Sequence, residues 1–243
     1  MQKILFTFLF TSFALHAQTS GHATYKLHIQ FSEDVLQADS KYGLLKQAVE
    51  IAPELRYRLI FNNEKANFNF VQNDRVDQVA ANTASSLAGA DRLIFIDRQK
   101  KSFLMEVKGD KILFEDHEYV VADTLVSDWK ITNEEKLISG YLCYKATTIK
   151  EVDMGTYIAK QLVTAYFCPK IPVPFGPGLF GGLPGLILEL QEKNSAFVLE
   201  EIKFRNIEDS EFMIPKGRTV LSRKQYIDVV NKRFETLKEL SKQ

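Results

Sequence analysis

The residues of this sequence that could carry chemistry are two cysteines, four histidines and a scatter of carboxylates. Cys143 and Cys168 fall on what read as successive strands. They lack the C-x-x-C spacing that poises a catalytic dithiol. In an oxidising compartment their placement predicts a disulfide stapling two neighbouring strands, with a loop-closure contribution on the order of 3.5 kcal/mol. The alternative is two separate buried thiols packing as small apolar groups. His22, His28 and His117 fall at no recognisable ligand spacing, so no metal site is expected. For acid–base work the sequence offers His117 beside Asp116, and Glu151 with Asp153 near the polar Thr147-Thr148 pair. Turns and strand edges carry such residues by default, and nothing converges on them. There is no phosphate loop, nucleophile elbow or paired metal motif. No catalytic or cofactor-binding residue is therefore assigned, no cofactor is expected, and an enzyme is the less favoured reading.

The redox setting comes from the start of the chain. Met1-Gln2-Lys3 is followed by an apolar run from Ile4 to Leu15, then His16-Ala17-Gln18. This is a short basic region, an apolar stretch and a small residue at a cleavage point, the pattern of a secretory signal peptide. Residues 1–17 are read as that signal and residues 18–243 as a single β-rich domain in a periplasm or outside the cell. No later stretch reaches the length of about 20 apolar residues that spans a bilayer, so no transmembrane segment is expected in the mature chain. Thirty-one basic residues balance thirty-one acidic ones. That balance argues against nucleic acid as a partner, because phosphate binding wants a concentrated positive surface.

The elements that must position these residues are mostly strands. Tyr25, Leu27, Ile29 and Phe31 alternate along the first. A short helix is predicted near 42–52, stopping before Pro53. A hairpin follows: Tyr57 and Phe61 alternate with arginines, Asn62-Asn63-Glu64 turns, and Phe68 and Phe70 alternate with asparagines. Residues 73–91 read as a polar loop with a helical turn. Strands are then expected at 93–96, 103–107 and 112–114, on either side of a turn at Asn133-Glu134-Glu135, at 156–167, at 186–190 and at 195–204. The last carries a bulge where its apolar side shifts from Phe197 and Leu199 to Ile202 and Phe204. Ser222 and Gln225 form a capping box ahead of a helical stripe of Ile227, Val230, Phe234 and Leu237. The predicted fold is mainly β: a curved antiparallel sheet or incomplete barrel with a C-terminal helix.

One segment is unusual. Between Pro169 and Leu190 five prolines and five glycines interleave with Ile171, Val173, Phe175, Leu179, Phe180, Leu183, Leu186 and Ile187. A flexible linker would not carry so many large apolar residues, so the segment reads as a rigid connection packed over an apolar surface. Gly182-Leu183-Pro184-Gly185-Leu186-Ile187 resembles the signature of the GLPGLI family, exported proteins of unknown function found mainly in Bacteroidetes. Trp129, the run Ile138 to Cys143 with Lys145-Ala146, and Thr164 to Phe167 are similar to that family as well. Tyr166 stands where its members commonly carry tryptophan, and Lys170 where an acidic residue is common. The resemblance implies export and brings no activity with it.

Two functions remain. The first is an envelope protein that binds or carries an apolar ligand, lipid or peptide. Tyr57, Phe61, Phe68, Phe70, Phe175, Phe180, Leu183 and Leu186 would then line or close its cavity, or else simply form the core. The second is an accessory protein that docks on an envelope partner of the outer membrane or secretion machinery.

Overall fold

A computed structural model describes residues 19–38, 43–107, 119–124, 128–153, 157–217 and 219–240. In chain order the elements are β1 (Gly21–Ile29), α1 (Glu33–Ala38), α2 (Leu44–Ile51), β2 (Arg56–Phe61), β3 (Lys65–Val71), α3 (Gln78–Leu87), β4 (Ile94–Asp97), β5 (Ser102–Val107), β6 (Tyr119–Thr124), β7 (Lys130–Ile138), β8 (Tyr141–Asp153), β9 (Ile158–Cys168), β10 (Leu186–Glu192), β11 (Ser195–Phe204), β12 (Thr219–Leu221) and α4 (Arg223–Leu240). The twelve strands make one sheet in the order β12-β6-β5-β4-β3-β2-β1-β11-β10-β9-β8-β7. Neighbours are antiparallel except β12, which runs parallel to β6. The sheet does not close into a barrel, and β12 and β7 are its two edges. It is nevertheless strongly curved, because the link from Thr124 to Lys130 can span only about 20 Å while joining strands near opposite ends of the order. The predicted short helix is α2, and the predicted C-terminal helix is α4.

Alternation along the strands builds the core. Ala23, Tyr25 and Leu27 of β1 are fully buried, and so are Tyr57, Leu59 and Phe61 of β2. Register places Tyr25 against Tyr57 on one side and Leu199 on the other. Tyr57 stacks on Phe68 at 5.8 Å, and Phe197 meets both rings edge-on at 5.0 and 5.6 Å. Burying each such ring contributes about 1.5–3 kcal/mol. Both buried tyrosines keep a partner for the hydroxyl: Tyr25 donates to the Ile187 carbonyl at 2.7 Å, and Tyr57 shares a 2.7 Å bond with Ser85. Burial pushes both hydroxyls above the ordinary tyrosine range, so they stay protonated. Opposite this face Lys26 and Arg56 both pair with Glu200.

The bulge foreseen in β11 is present. Thr24 opposes Glu201 and Tyr25 opposes Leu199, leaving Glu200 as the extra residue. The capping box is present too: the Ser222 N–H donates to Gln225 Oε1 at 2.8 Å, and the Gln225 N–H to Ser222 Oγ at 3.3 Å.

Three expectations change. Residues 73–91 contain a ten-residue helix, α3. Asp77 caps it by accepting from the Ala80 N–H at 2.8 Å, and Ala80, Ala81, Ala84 and Ser85 bury its inner face. The turn expected at 133–135 is instead a bulge inside β7: register runs Ile131↔Ala146, then Glu135↔Tyr144, so Thr132, Asn133 and Glu134 stand against Lys145 alone. The chain reverses later, at Ser139-Gly140, where φ is 48° and 82°. Positive φ at both central residues suits the twist of a two-residue hairpin.

The third correction concerns the cysteines. Cys143 and Cys168 are buried free thiols and not a disulfide. They sit one step beyond the registered pair Tyr144↔Phe167 of β8 and β9, and each is paired in the other direction, Cys143 with Lys136 and Cys168 with Leu186. A regular ladder holds opposed Cβ atoms about 4.5–5.5 Å apart, wider than the mean of about 3.8 Å that a disulfide takes. The Cys143 thiol instead donates to the Tyr141 carbonyl at 3.5 Å. The neighbouring Cys143 thiol, with the backbone N–H groups of Lys170 and Ile171, holds Cys168 below the ordinary thiol range. The neighbouring Cys168 thiol and burial push Cys143 up. The predicted signal peptide over 1–17, the strand at 112–114 and the Asp116–His117 pair lie outside the described residues.

Candidate binding site

The Pro/Gly segment joins β9 to β10 and is tied down along its length. The Ile171 N–H reaches the Cys168 carbonyl at 3.1 Å, the Gly182 N–H reaches Pro174 at 2.9 Å, and the Leu186 and Ile187 N–H groups reach Ile171 and Phe175 at 2.9 Å each. Ile171, Val173, Phe175 and Leu183 are buried. Two glycines of the hexapeptide answer to geometry. Gly182 has φ of 85°, and a Cβ on Gly185 would lie 2.3 Å from the Cys168 carbonyl oxygen. The close approach of β9 to the returning chain therefore admits no side chain at 185. A bridge between Phe175 and Gly181 pinches off a small loop whose tip carries Leu179 and Phe180.

That tip is one wall of a cavity of about 550 Å³. The other walls are Trp129 before β7, Thr148 to Glu151 of β8, Leu190 and Glu192 of β10, Phe197 of β11, the Ala88-Gly89 end of α3 and Arg223 at the start of α4. The cavity thus lies between strands β8, β10 and β11, the Pro/Gly loop and the ends of α3 and α4. Trp129 donates its indole N–H to the Gly181 carbonyl at 2.8 Å, and its ring lies 6.2 Å from Phe180. The latch fixes the tip against the edge of the sheet. Inside, Lys150 pairs with Glu192 at 2.5 Å, and its ammonium stands 5.6 Å from the Phe180 ring. The lining combines aromatic surface with a few fixed polar groups, the composition that holds a small ligand and sets its orientation.

Of the residues foreseen from the sequence, Phe180 lines this cavity. Tyr57, Phe61, Phe68, Phe175, Leu183 and Leu186 are core residues, and Phe70 packs half-buried against that core. Glu151 borders the cavity; Asp153 ends β8 opposite Ile158. Trp129, Lys150, Glu192 and Phe197 were not foreseen as lining. Trp129 had a signal, being the only tryptophan in the chain. Lys150 had a weaker one: it shares a face with Thr148 in the strand alternation.

A second polar cluster spans β7 to β10. Lys136 reaches both oxygens of the buried Glu189 at 2.8 and 2.7 Å, and Gln191 adds a bond at 2.5 Å. Glu134 accepts from Lys145 and from the Tyr166 hydroxyl at 2.8 Å each, and these bonds hold it below the usual carboxylate range. Burial and then Glu134 push the Tyr166 hydroxyl up to about 12. These groups satisfy one another. Among the described residues no group of three or more His, Cys, Asp or Glu side chains is placed to hold a metal ion. Among them, too, no helix is long and apolar enough to cross a membrane.

A family described as a protein of unknown function (Porph_ging) matches residues 153–189, which take in β9, the Pro/Gly segment and the hexapeptide. No curated protein matches the chain. Among solved structures it is similar to PNGF-II in the P21 crystal form, with a TM-score of 0.53 and 14% identity over 88% of this chain and 34% of that one. The C2 form gives the same TM-score at 16% identity, over 88% and 33%. The chain spans about a third of PNGF-II. At such identities the likeness is one of fold alone.

Proposed function

We propose that this chain is an exported envelope protein of the GLPGLI type that binds an apolar or amphipathic ligand in the cavity beside its Pro/Gly loop. The observation that carries the reading is the 550 Å³ cavity walled by Trp129, Leu179, Phe180 and Phe197 and fitted with the Lys150–Glu192 pair. The volume lies within the range of about 300–1,000 Å³ typical of ligand sites. The rings supply apolar contact and the ion pair a fixed polar point. Lipid and apolar peptide are the ligand classes this lining suits. The apolar N-terminal run supports export, and the hexapeptide supports the family. The accessory role on an envelope partner is the weaker reading, since the Pro/Gly segment turns its large residues inward.

The test is native mass spectrometry of protein purified from the periplasm of a host that exports it, with 1-anilinonaphthalene-8-sulfonate as an added apolar probe. A co-purifying mass, or probe fluorescence, is expected, and Thr148→Trp, which fills the cavity from β8, is expected to abolish either signal. An unliganded mass together with a silent probe overturns the proposal.

A further inference from the structure

The wall of the cavity formed by β8 is a strand edge. Four consecutive residues, Thr148 to Glu151, border it. Side chains of a strand alternate between faces, so a cavity touching four in a row meets the backbone between them. Among the described residues, pairing leaves that backbone uncovered. Pairing of β7 with β8 begins at Lys130↔Thr147, whereas β8 stays paired with β9 as far as Asp153↔Ile158. Among the described residues no strand pairs with Thr148–Asp153 on the side away from β9. In an antiparallel ladder alternate residues turn both backbone groups outward, so this stretch presents N–H and C=O groups in a row. The true edge strand, β7, carries a bulge and the charges of Lys130, Glu134, Glu135 and Lys136. Beside the open stretch of β8 lies an exposed apolar pair: Ile149 and, opposite it on β9, Leu162 are in register and are 55% and 60% exposed.

We propose that the occupant is an extended peptide that adds a strand beside Thr148–Asp153. This deepens the binding reading above and rests on it. Only an extended main chain satisfies a row of alternating donors and acceptors. Its side chains would alternate between two apolar surfaces already present, the Trp129–Phe180 wall and the Ile149–Leu162 pair. Charge points the same way. Lys150, Lys160 and Arg223 around the cavity are matched by Asp128, Glu151 and Glu192. A balanced rim suits a neutral backbone, not a polyanion or an anionic membrane surface.

The test uses the full chain in three steps. Hydrogen exchange on the protein alone must show fast outward amides within Thr148–Asp153. A displayed library of random hexapeptides is then selected against it, and enriched sequences are synthesised with and without N-methyl groups on alternate residues. Enrichment of alternating apolar sequences is expected, with slowed exchange at Thr148–Asp153 on binding. N-methylation in the bonding register should weaken binding about tenfold. Ile149→Asp, at an exposed position that leaves folding intact, should weaken it about fivefold. Amides already protected in the free protein mean that the chain covers its own edge, and this overturns the inference. So does a library without enrichment, or binding indifferent to N-methylation. If the apolar probe still fills the cavity in those cases, the binding function stands and the strand-addition mode alone is lost.

Discussion

The Lys136–Glu189 pair gives the sharpest test of how the β7–β10 corner is held. The Glu189 side chain is 5% exposed, while the Lys136 side chain is 43% exposed. Lys136→Met removes the ammonium from both carboxylate oxygens and leaves Gln191 as a donor to one of them. Stranding one partner of a buried pair costs about 3–5 kcal/mol. Because the lysine head is half open, water can approach the vacated place, so a loss at or just below the foot of that range, about 2–3 kcal/mol, is expected. Lys136→Met with Glu189→Met removes both charges and keeps the volume. That double variant should fall within about 1 kcal/mol of the parent, since isosteric apolar replacement of a buried pair is often close to neutral. Urea unfolding followed by circular dichroism measures both, with the slope against denaturant expected to stay constant. A single variant losing less than about 1 kcal/mol, or a double variant as unstable as the single, would refute the claim that an uncompensated buried carboxylate is what the lysine prevents.

Two further outcomes follow from the geometry. Gly185→Ala pushes a methyl group against the Cys168 carbonyl, whereas Gly178→Ala meets nothing within 4 Å and bears only its φ of 63°. Urea midpoints should show Gly178→Ala costing about 1–2 kcal/mol and Gly185→Ala clearly more, with equal losses ruling out the close approach as the cause. Arg205 and the Glu208 N–H hold Glu211 at about 2, so the stabilisation its carboxylate gives is present above the unfolded value near 4.3 and is lost as pH falls through about 2. In Arg205→Gln an NMR titration of the Glu211 side-chain carbon should move back toward 4.3, and an unmoved titration would discount the pair.

The sequence announced strands better than it announced their ends or their company. Tyr57, Phe68 and Phe197 alternate with polar residues, and burial of one face needs nothing more to be read. Asn133-Glu134-Glu135 has the composition of a turn, yet Tyr166 and Lys145 supply partners for Glu134 within a continuing strand, and those partners are tertiary. The reversal fell to Ser139-Gly140, where a non-glycine residue accepts positive φ. Helix α3 escaped because its buried face is alanine and serine, too small to register as a hydrophobic stripe. The cysteines were rightly placed near each other, but adjacency on a regular ladder is not disulfide geometry. The cavity was the least legible feature of all. It is made by Lys150, Glu192, Phe197 and a helix end, which are distant in sequence and meet only because the sheet curls without closing.

This last point bears on what the Gly182–Ile187 hexapeptide does. Its large apolar residues face the core while Gly182 and Pro184 stay exposed: Leu183, Leu186 and Ile187 are buried, and Gly185 makes room for the β9 carbonyl. Between β10 and β11 register covers only Glu189 to Glu192 against Ser195 to Val198. The Leu186 and Ile187 amides therefore turn to Ile171 and Phe175 of the same segment, which takes the place of a strand there. The motif is thus a structural lock that lets β10 begin beside β9 without a conventional turn. What it exports to function is the loop held at its far side, from Pro177 to Gly181, which stands against Trp129 and closes the cavity. A signature concerned with backbone close approach sits beside a site whose walls come from other strands. Chains could accordingly share this hexapeptide and the fold while differing at Lys150, Phe180 and Glu192, and with them in the ligand they hold.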